Sequence, residues 1–184
     1  MEVEIIRSRR KTLCVEIREG CVLLRVPLRA TRAEIRDFLT EKQPWIEKHL
    51  ARSLVREEEK KNIPPLTDAE IRSLTLQAKV LIPDRAAYFA RRLGVTFGRI
   101  TIRCQRTRWG SCSSRGNLNF NCLLMLAPRE VLDSVIVHEL CHRKQMNHSA
   151  AFYGEVLRVF PDYRQWNRWL KENGPLLLAK VPRS

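Results

Sequence analysis

A chain of 184 residues is long enough to bury a hydrophobic core, either as one domain or as two small ones. Its 44% hydrophobic and 29% charged residues are typical of a globular protein and exclude a disordered chain. The 34 basic and 20 acidic residues give a net charge of +14, carried mostly by arginine, which indicates either a surface that attracts polyanions such as nucleic acid or merely a well-solvated basic surface.

Three apolar segments near the N terminus, residues 3–8, 12–18 and 21–26, are separated by turn-forming residues and predict two successive hairpins. We therefore expect a small antiparallel sheet that ends at Pro27. Two helices should follow. A capping box at Thr31 and Glu34 opens the first, which runs through Leu39, and a second box at Thr40 and Gln43 opens the next.

The segment Asn62-Ile63-Pro64-Pro65 has the composition of a linker. It predicts an N-terminal β-rich subdomain of residues 1–62, a second domain of residues 63–174 and a loose tail of residues 175–184. After the linker, a capping box at Thr67 and Glu70 starts a helix that should end at Gly94. Pro83 is expected to kink or split this helix.

From residue 99 the apolar residues alternate, which predicts a strand, a turn-rich segment and a return strand, together a β-hairpin over residues 99–122. Ala127-Pro128 then starts an apolar helix, which we expect to end between Gln145 and Asn147. Asn147 could adopt a left-handed turn, and Ser149 should cap the following helix. A last helix is expected from Pro161 to Asn173-Gly174, so the chain as a whole predicts an α+β fold.

The apolar helix contains His138-Glu139-Leu140-Cys141-His142, an H-E-x-x-H sequence. Two histidines four residues apart lie on one face of a helix, where both imidazoles can reach the same metal ion. A catalytic zinc takes three protein ligands and keeps one position open. His148 is the candidate third ligand, because three of the four histidines of the chain lie within residues 138–148.

The spacing from His138 to His148 also matches the metzincin pattern H-E-x-x-H-x-x-G-x-x-H. Gln145 stands where that pattern has its turn glycine, and no methionine follows His148. The sequence therefore does not fit a metzincin.

The chain instead resembles the YgjP-like family of zinc metallopeptidases over most of its length. The resemblance rests on the following segments: Ile6-Arg7-Ser8-x-Arg10, Pro44-Trp45-Ile46, Trp109-Gly110-Ser111-Cys112, Ala127-Pro128, Val137-His138-Glu139-Leu140-Cys141-His142, Asn147-His148-Ser149-x-x-Phe152-Tyr153 and Pro161-Asp162-Tyr163. It implies a minimal zincin core like that of SprT-type proteases, with zinc on His138, His142 and His148 and catalysis by Glu139. Tyr153 departs from the pattern, since tryptophan is expected there.

These residues predict a peptidase in which Glu139 is the general base that takes a proton from water as the water attacks a carbonyl carbon. The donor to the developing oxyanion is not determined by the sequence, and the candidates are Tyr153, Arg108 and Ser111. Trp109 either lines the substrate cleft or packs in the core. The hairpin before the active-site helix could bind an extended peptide by strand addition.

Two other functions stay open. The same zinc and carboxylate could hydrolyse a nucleotide phosphoanhydride, with Arg106, Arg108 and Arg115 binding the phosphates. Alternatively, the basic surface could tether a protease to nucleic acid, through the clusters Arg7/Arg9/Arg10/Lys11 and Arg103/Arg106/Arg108/Arg115.

Residues 1–11 mix charges without an apolar run, and no segment has the length of a membrane span, so we expect neither a signal peptide nor a membrane anchor. The six cysteines show no C-x-x-C and no disulfide-like spacing, which favours free thiols in a cytoplasmic protein. The expected partners are therefore a peptide or protein substrate and, through the basic surface, nucleic acid, with no indication of an oligomeric state.

Overall fold

The computed structural model describes residues 3–182. The chain divides into two compact units, Met1–Asn62 and Ile63–Ser184. The described part of the first unit contains one helix and a small sheet, and that of the second contains several helices and a small sheet, so the predicted α+β class is confirmed. That the second unit is a separate catalytic domain stays a prediction.

The sheet of the first unit has three strands: β1 (Val3–Ser8), β2 (Cys14–Arg18) and β3 (Cys21–Pro27). Their order is β1-β3-β2, with β2 antiparallel to β3 but β1 parallel to it. The predicted all-antiparallel sheet is therefore wrong for β1. The reason is burial: β3 contains the buried run Val22, Leu23 and Leu24, and such a strand takes the centre of a sheet, with one neighbour on each side.

The two helices predicted after this sheet are one helix, α1 (Arg32–Lys61), which continues through Pro44. The capping box of Thr31 and Glu34 is confirmed. The hydroxyl of Thr40 donates to the carbonyl of Arg36 one turn earlier, at 3.0 Å, instead of capping a new helix. Because this hydroxyl is already hydrogen-bonded within the helix, it does not cap a new helix at this point.

The second unit begins with α2 (Asp68–Leu93). The capping box of Thr67 and Glu70 starts this helix, and Gly94, which is left-handed with a φ of 68°, ends it. The helix is continuous through Pro83, so of the predicted kink or split the split is wrong and the kink stays a prediction. Its buried residues recur at helical spacing and form one side of the main core: Leu74, Ala78, Ile82, Ala86, Phe89, Ala90 and Leu93. Burial of this apolar face compensates for the hydrogen bond that proline removes.

A second three-stranded sheet follows, formed by β4 (Ile100–Arg103), β5 (Gly110–Cys112) and β6 (Leu118–Asn121) in the order β4-β6-β5. The predicted hairpin exists only between β5 and β6, because β4 runs parallel to β6. Asn121 is buried, and its side-chain amide donates to the carbonyls of Gln105 and Arg108 at 2.7 and 3.0 Å. These two bonds hold the loop between β4 and β5 beside the end of β6.

Three helices complete the unit after a short 3-10 turn at Cys122–Leu126: α3 (Arg129–Cys141), α4 (Ala150–Val159) and α5 (Tyr163–Ala179). Helix α3 ends four to six residues earlier than predicted, and Asn147 does not have a positive φ. Helix α5 continues through Gly174 and Pro175, so the predicted stop and loose tail are wrong as far as Ala179; residues 183–184 lie outside the described chain. None of the helices within residues 3–182 combines the length and apolar character needed to cross a membrane.

Gly174 explains why α5 does not stop there. A Cβ placed on this residue would lie 3.1 Å from Cζ2 of Trp109, so the glycine allows the helix backbone to approach the indole ring closely. Trp109 is part of the packing around the main core, together with Leu170 on the same helix. The glycine is a packing position and not a helix end.

An ion pair joins α2 to α3. Arg85 donates to Asp133 through Nε at 2.8 Å and Nη2 at 2.6 Å, and its guanidinium also lies 5.0 Å from the ring centroids of Tyr88 and Phe89. The pair raises the pKa of Arg85 through its hydrogen bond to the carboxylate. Because α3 carries the H-E-x-x-H sequence, this pair fixes the helix on which the site depends.

Replacing Asp133 with alanine should lower the free energy of unfolding by about 3 kcal/mol, the lower end for removing one partner of a buried pair, since Arg85 keeps some contact with water. Asp84→Ala is the matched control, because Asp84 is exposed and the charge change is the same. Urea unfolding followed by circular dichroism measures both. Equal destabilisation by the two variants would contradict a structural role for the pair.

Candidate metal centre

Helix α3 and the turn after it deliver three histidines to one point. His138 lies within α3, His142 is its C-cap residue, and the chain then turns through residues 142–147 to reach His148. The hydroxyl of Ser149 accepts a hydrogen bond from the backbone N–H of Phe152, which starts α4 immediately after His148, as predicted. The early end of α3 is what lets the chain reverse within so few residues.

The imidazole nitrogens that could bind a metal ion, one from each histidine, all lie within 4.8 Å of one another. The Nε2 atoms of His138 and His148 are 3.0 Å apart. Two nitrogens bound to one tetrahedral zinc lie ~3.3 Å apart, given Zn–N distances of about 2.0–2.1 Å. The three side chains therefore fit one zinc ion with little movement.

Hydrogen bonds on the far side of two rings select the nitrogen that faces the centre. Nδ1 of His138 lies 2.8 Å from Oη of Tyr163, and Nδ1 of His142 lies 3.1 Å from the carbonyl of Gln145. With the proton of each ring on Nδ1, Nε2 keeps its lone pair for a metal. Burial, together with the neighbouring His142 and His148, lowers the pKa of His138 to about 4, so this ring is neutral at physiological pH.

The ring of Phe152 packs against the imidazole rings of all three histidines. Its ring centroid lies 4.9 Å from that of His138, 4.8 Å from that of His142 and 4.9 Å from that of His148. Phe152 is completely buried, so it limits the rotation of the imidazoles and keeps water from that side. Packing of this kind fixes ligand positions before the metal binds.

Glu139 is buried next to the histidines, with 6% of its surface exposed. Burial raises the pKa of Glu139 to about 7. A Cβ placed on Gly110, the first residue of β5, would lie 2.7 Å from both Cγ and Oε1 of Glu139. Glycine at this position therefore gives the carboxylate its space.

A cleft of about 280 Å³ opens beside His138 and Glu139. Arg108 and Trp109 line it, whereas Ser111 and Tyr153 do not. The hydroxyl of Ser111 accepts a hydrogen bond from Asn119 at 3.2 Å, and the ring of Tyr153 lies 6.3 Å from that of His148 with 38% of the residue exposed. The roles predicted for these four residues stay predictions.

The cleft also contains residues to which sequence reasoning gave no role, namely Tyr163, Asn167 and Gly110. Tyr163 and Gly110 occur in segments that carry the family resemblance, which was the only available signal. Nothing in the spacing linked Tyr163 to His138, which is 25 residues earlier. Asn167 gave no signal at all.

A mixed α+β unit that places three histidines and a buried glutamate at one point fits the class of zinc metallopeptidases. The family described as YgjP-like, metallopeptidase domain, matches residues 11–72 and 67–173. The chain belongs to the YgjP-like metallopeptidase family.

Two solved structures are similar to part of the chain. The metallopeptidase zymogen of Pyrococcus abyssi abylysin is 22% identical, with a TM-score of 0.45, over 50% of this chain and 94% of that one. The zymogen of Methanocaldococcus jannaschii jannalysin is also 22% identical, with a TM-score of 0.45, over 50% of this chain and 95% of that one. No curated protein matches the chain.

Replacing Tyr163 with phenylalanine should weaken zinc binding by about 10–100-fold, the usual effect of losing the partner of a ligating histidine. The ring and its packing are kept, and only the oxygen beside Nδ1 of His138 is lost. Zinc affinity is measured by competition with a chromophoric chelator. Tyr153→Phe is the matched control because Tyr153 is close by and does not contact Nδ1 of His138, and an equal loss in both variants would contradict the assignment.

Proposed function

We propose that this chain is a zinc-dependent peptidase in which His138, His142 and His148 hold the metal and Glu139 is the general base. The observation that carries the proposal is the 3.0 Å approach of the Nε2 atoms of His138 and His148 beside a buried glutamate. Membership in a metallopeptidase family supports the same reaction.

Zinc, when bound, supplies a Lewis acid that lowers the pKa of water and polarises a carbonyl group. Glu139 accepts a proton from the attacking water and passes it to the leaving nitrogen. Its buried position keeps the carboxylate directed at the cleft, and Gly110 keeps the space around it open.

Tyr163 has two roles in the proposed mechanism. Its oxygen accepts the Nδ1–H of His138, which leaves its own O–H free of any partner within residues 3–182. Because Tyr163 lines the cleft, this O–H can donate to a substrate oxygen there. Burial raises the pKa of Tyr163 above its usual value, so the phenol keeps its proton as a donor.

The edge of the second sheet is suited to hold a peptide. Strand β5 lies at one edge of the order β4-β6-β5, and it begins at Gly110, directly beside Glu139. An extended substrate can pair its main chain with such an edge, which places the scissile bond close to the general base. Arg108 and Trp109 line the cleft at the start of this strand.

Hydrolysis of a nucleotide phosphoanhydride has less support. Of the three arginines considered for phosphate binding, only Arg108 lines the cleft. Arg106 instead donates to the carbonyl of Val181 at 2.9 Å. Without a convergent set of arginines the cleft offers little charge to a triphosphate.

The proposed compartment is the cytoplasm, which is supported by six cysteines that are all free thiols in the structure. Action on proteins bound to nucleic acid is a narrower version of the same proposal, and the net charge of +14 supports it.

The direct test is to incubate the zinc-loaded protein with casein and with a panel of nucleoside triphosphates, each with and without duplex DNA. Peptide-bond cleavage that a chelator abolishes is the expected result. Cleavage of triphosphates without cleavage of casein would overturn the proposal. A rise in casein cleavage on adding DNA would support the DNA-bound version, and no DNA binding at low salt would exclude it.

A further inference from the structure

The first unit contains an open groove of about 760 Å³ that is separate from the metal cleft and involves none of its residues. It lies between β1 and the first three turns of α1. Its aliphatic residues, which we call the floor, are Ile5, Ile35 and Leu39, and its basic residues, which we call the rim, are Arg7, Arg32 and Arg36. Thr40 and Gln43 complete the lining. We call this the arginine groove.

The floor is open because α1 packs mainly against β2 and β3 and leaves the part of β1 around Ile5 uncovered. Ile5 therefore has 48% of its surface exposed, although it faces the same side of the sheet as the buried cluster under α1. A half-exposed isoleucine beside buried Ile35 forms an apolar surface that a ligand can cover.

The rim is positively charged and in part held rigid. Arg7 donates from Nη1 to the carbonyls of Leu28 and Ala30 at 3.1 and 2.9 Å, which fixes its guanidinium at the mouth of the groove. Arg32 has no hydrogen-bond or ion-pair partner among residues 3–182, and Arg36 contacts only its exposed neighbour Asp37. No acidic side chain lines the groove, so its charge is not neutralised from within.

The outer edge of β1 is unpaired within the described chain, because the sheet order is β1-β3-β2. Its main-chain N–H and C=O groups are available to a further strand. Ile5 and Arg7 are two residues apart and so lie on the same face of β1. Every second side chain of a strand added at this edge would face the groove, and two successive groove-facing side chains would reach Ile5 and Arg7.

We propose that the arginine groove binds an extended polypeptide segment that pairs with β1 and whose groove-facing side chains, two residues apart along the segment, alternate between aliphatic and acidic. An aliphatic residue of the ligand contacts Ile5, and an acidic residue two positions away pairs with Arg7. Arg32 and Arg36 bind a further carboxylate from the α1 side. The apolar floor, and the lack of any aromatic or lysine side chain in the lining, favour a peptide over nucleic acid.

The proposal does not depend on zinc chemistry, so it is tested by binding alone. The probe is a fluorescently labelled peptide in which every second residue is alternately valine and glutamate and the residues between them are serine. It is about as long as the six residues of β1, and anisotropy is measured on the full chain carrying Glu139→Gln to prevent cleavage. Two further peptides serve as comparisons: one with lysine in place of glutamate, and one N-methylated at alternate residues.

The test variant is Arg32→Glu with Arg36→Glu, since both residues are exposed and the fold does not rely on their side chains. The matched control is Arg18→Glu with Arg52→Glu, which makes the same charge change in the same unit outside the groove. We expect the acidic peptide to bind, the test variant to weaken binding at least about tenfold, and the control to have a much smaller effect. Neither the N-methylated peptide nor the lysine peptide should bind.

Four results would overturn the proposal. They are no binding of the acidic peptide, an equal loss in the control variant, unchanged binding of the N-methylated peptide, and tighter binding of a single-stranded DNA oligonucleotide with the same variant dependence. The last result would assign the groove to nucleic acid. None of them bears on casein cleavage, so failure of this proposal and failure of the peptidase proposal are distinguishable.

Discussion

Replacing Glu139 with glutamine should reduce peptidase activity by at least about 100-fold while zinc binding and the fold are retained. The amide has the same shape as the carboxylate, so it fits the space beside Gly110, but it cannot accept a proton from water. Among residues 3–182, Glu139 forms no ion pair that the substitution would break, and it is burial that raises the pKa of its carboxyl group. Loss of activity should therefore occur without loss of stability.

The matched control for this change is Glu130→Gln, which makes the same substitution at an exposed position in the first turn of α3. The measurement is kcat/KM on a casein-derived fluorogenic peptide, together with zinc content and thermal unfolding for each variant. Activity of Glu139→Gln within tenfold of the wild-type value would mean that the general base lies elsewhere.

Replacing both His138 and His142 with alanine should abolish zinc binding, whereas the unaltered chain should hold about one zinc per molecule. Losing one ligand of three weakens a zinc site by orders of magnitude, and the remaining His148 cannot hold the ion alone. Because a bound metal stabilises the folded state, zinc should raise the melting temperature of the unaltered protein and leave that of the variant unchanged.

His49→Ala is the control for the histidine variant, since His49 is the fourth histidine of the chain and lies on α1, in the first unit. Its ring packs 4.2 Å from that of Trp45 and belongs to no group of metal ligands in residues 3–182. Zinc is quantified by mass spectrometry after dialysis. Full retention of zinc by the double variant would contradict the three-histidine site.

The sequence by itself determined those features in which all the interacting groups lie within a few residues of one another along the chain. The capping boxes at Thr31 and Thr67 and the cap at Ser149 were predicted because a side chain and the N–H it accepts from are three residues apart. The convergence of His138 and His142 follows in the same way from the rise of a single helix. The same pattern at Thr40 and Gln43 forms no cap, however, because the helix continues through it.

The tertiary structure alone decided which distant segments are neighbours. The parallel pairing of β1 with β3 and of β4 with β6, and the continuation of α5 through Gly174, depend on which strand or ring each segment is buried against. Tyr163 beside His138 and Gly110 beside Glu139 are contacts of the same kind. Spacing along the chain does not encode such contacts, because they are selected by the free energy of burying the whole core and not by any local pattern.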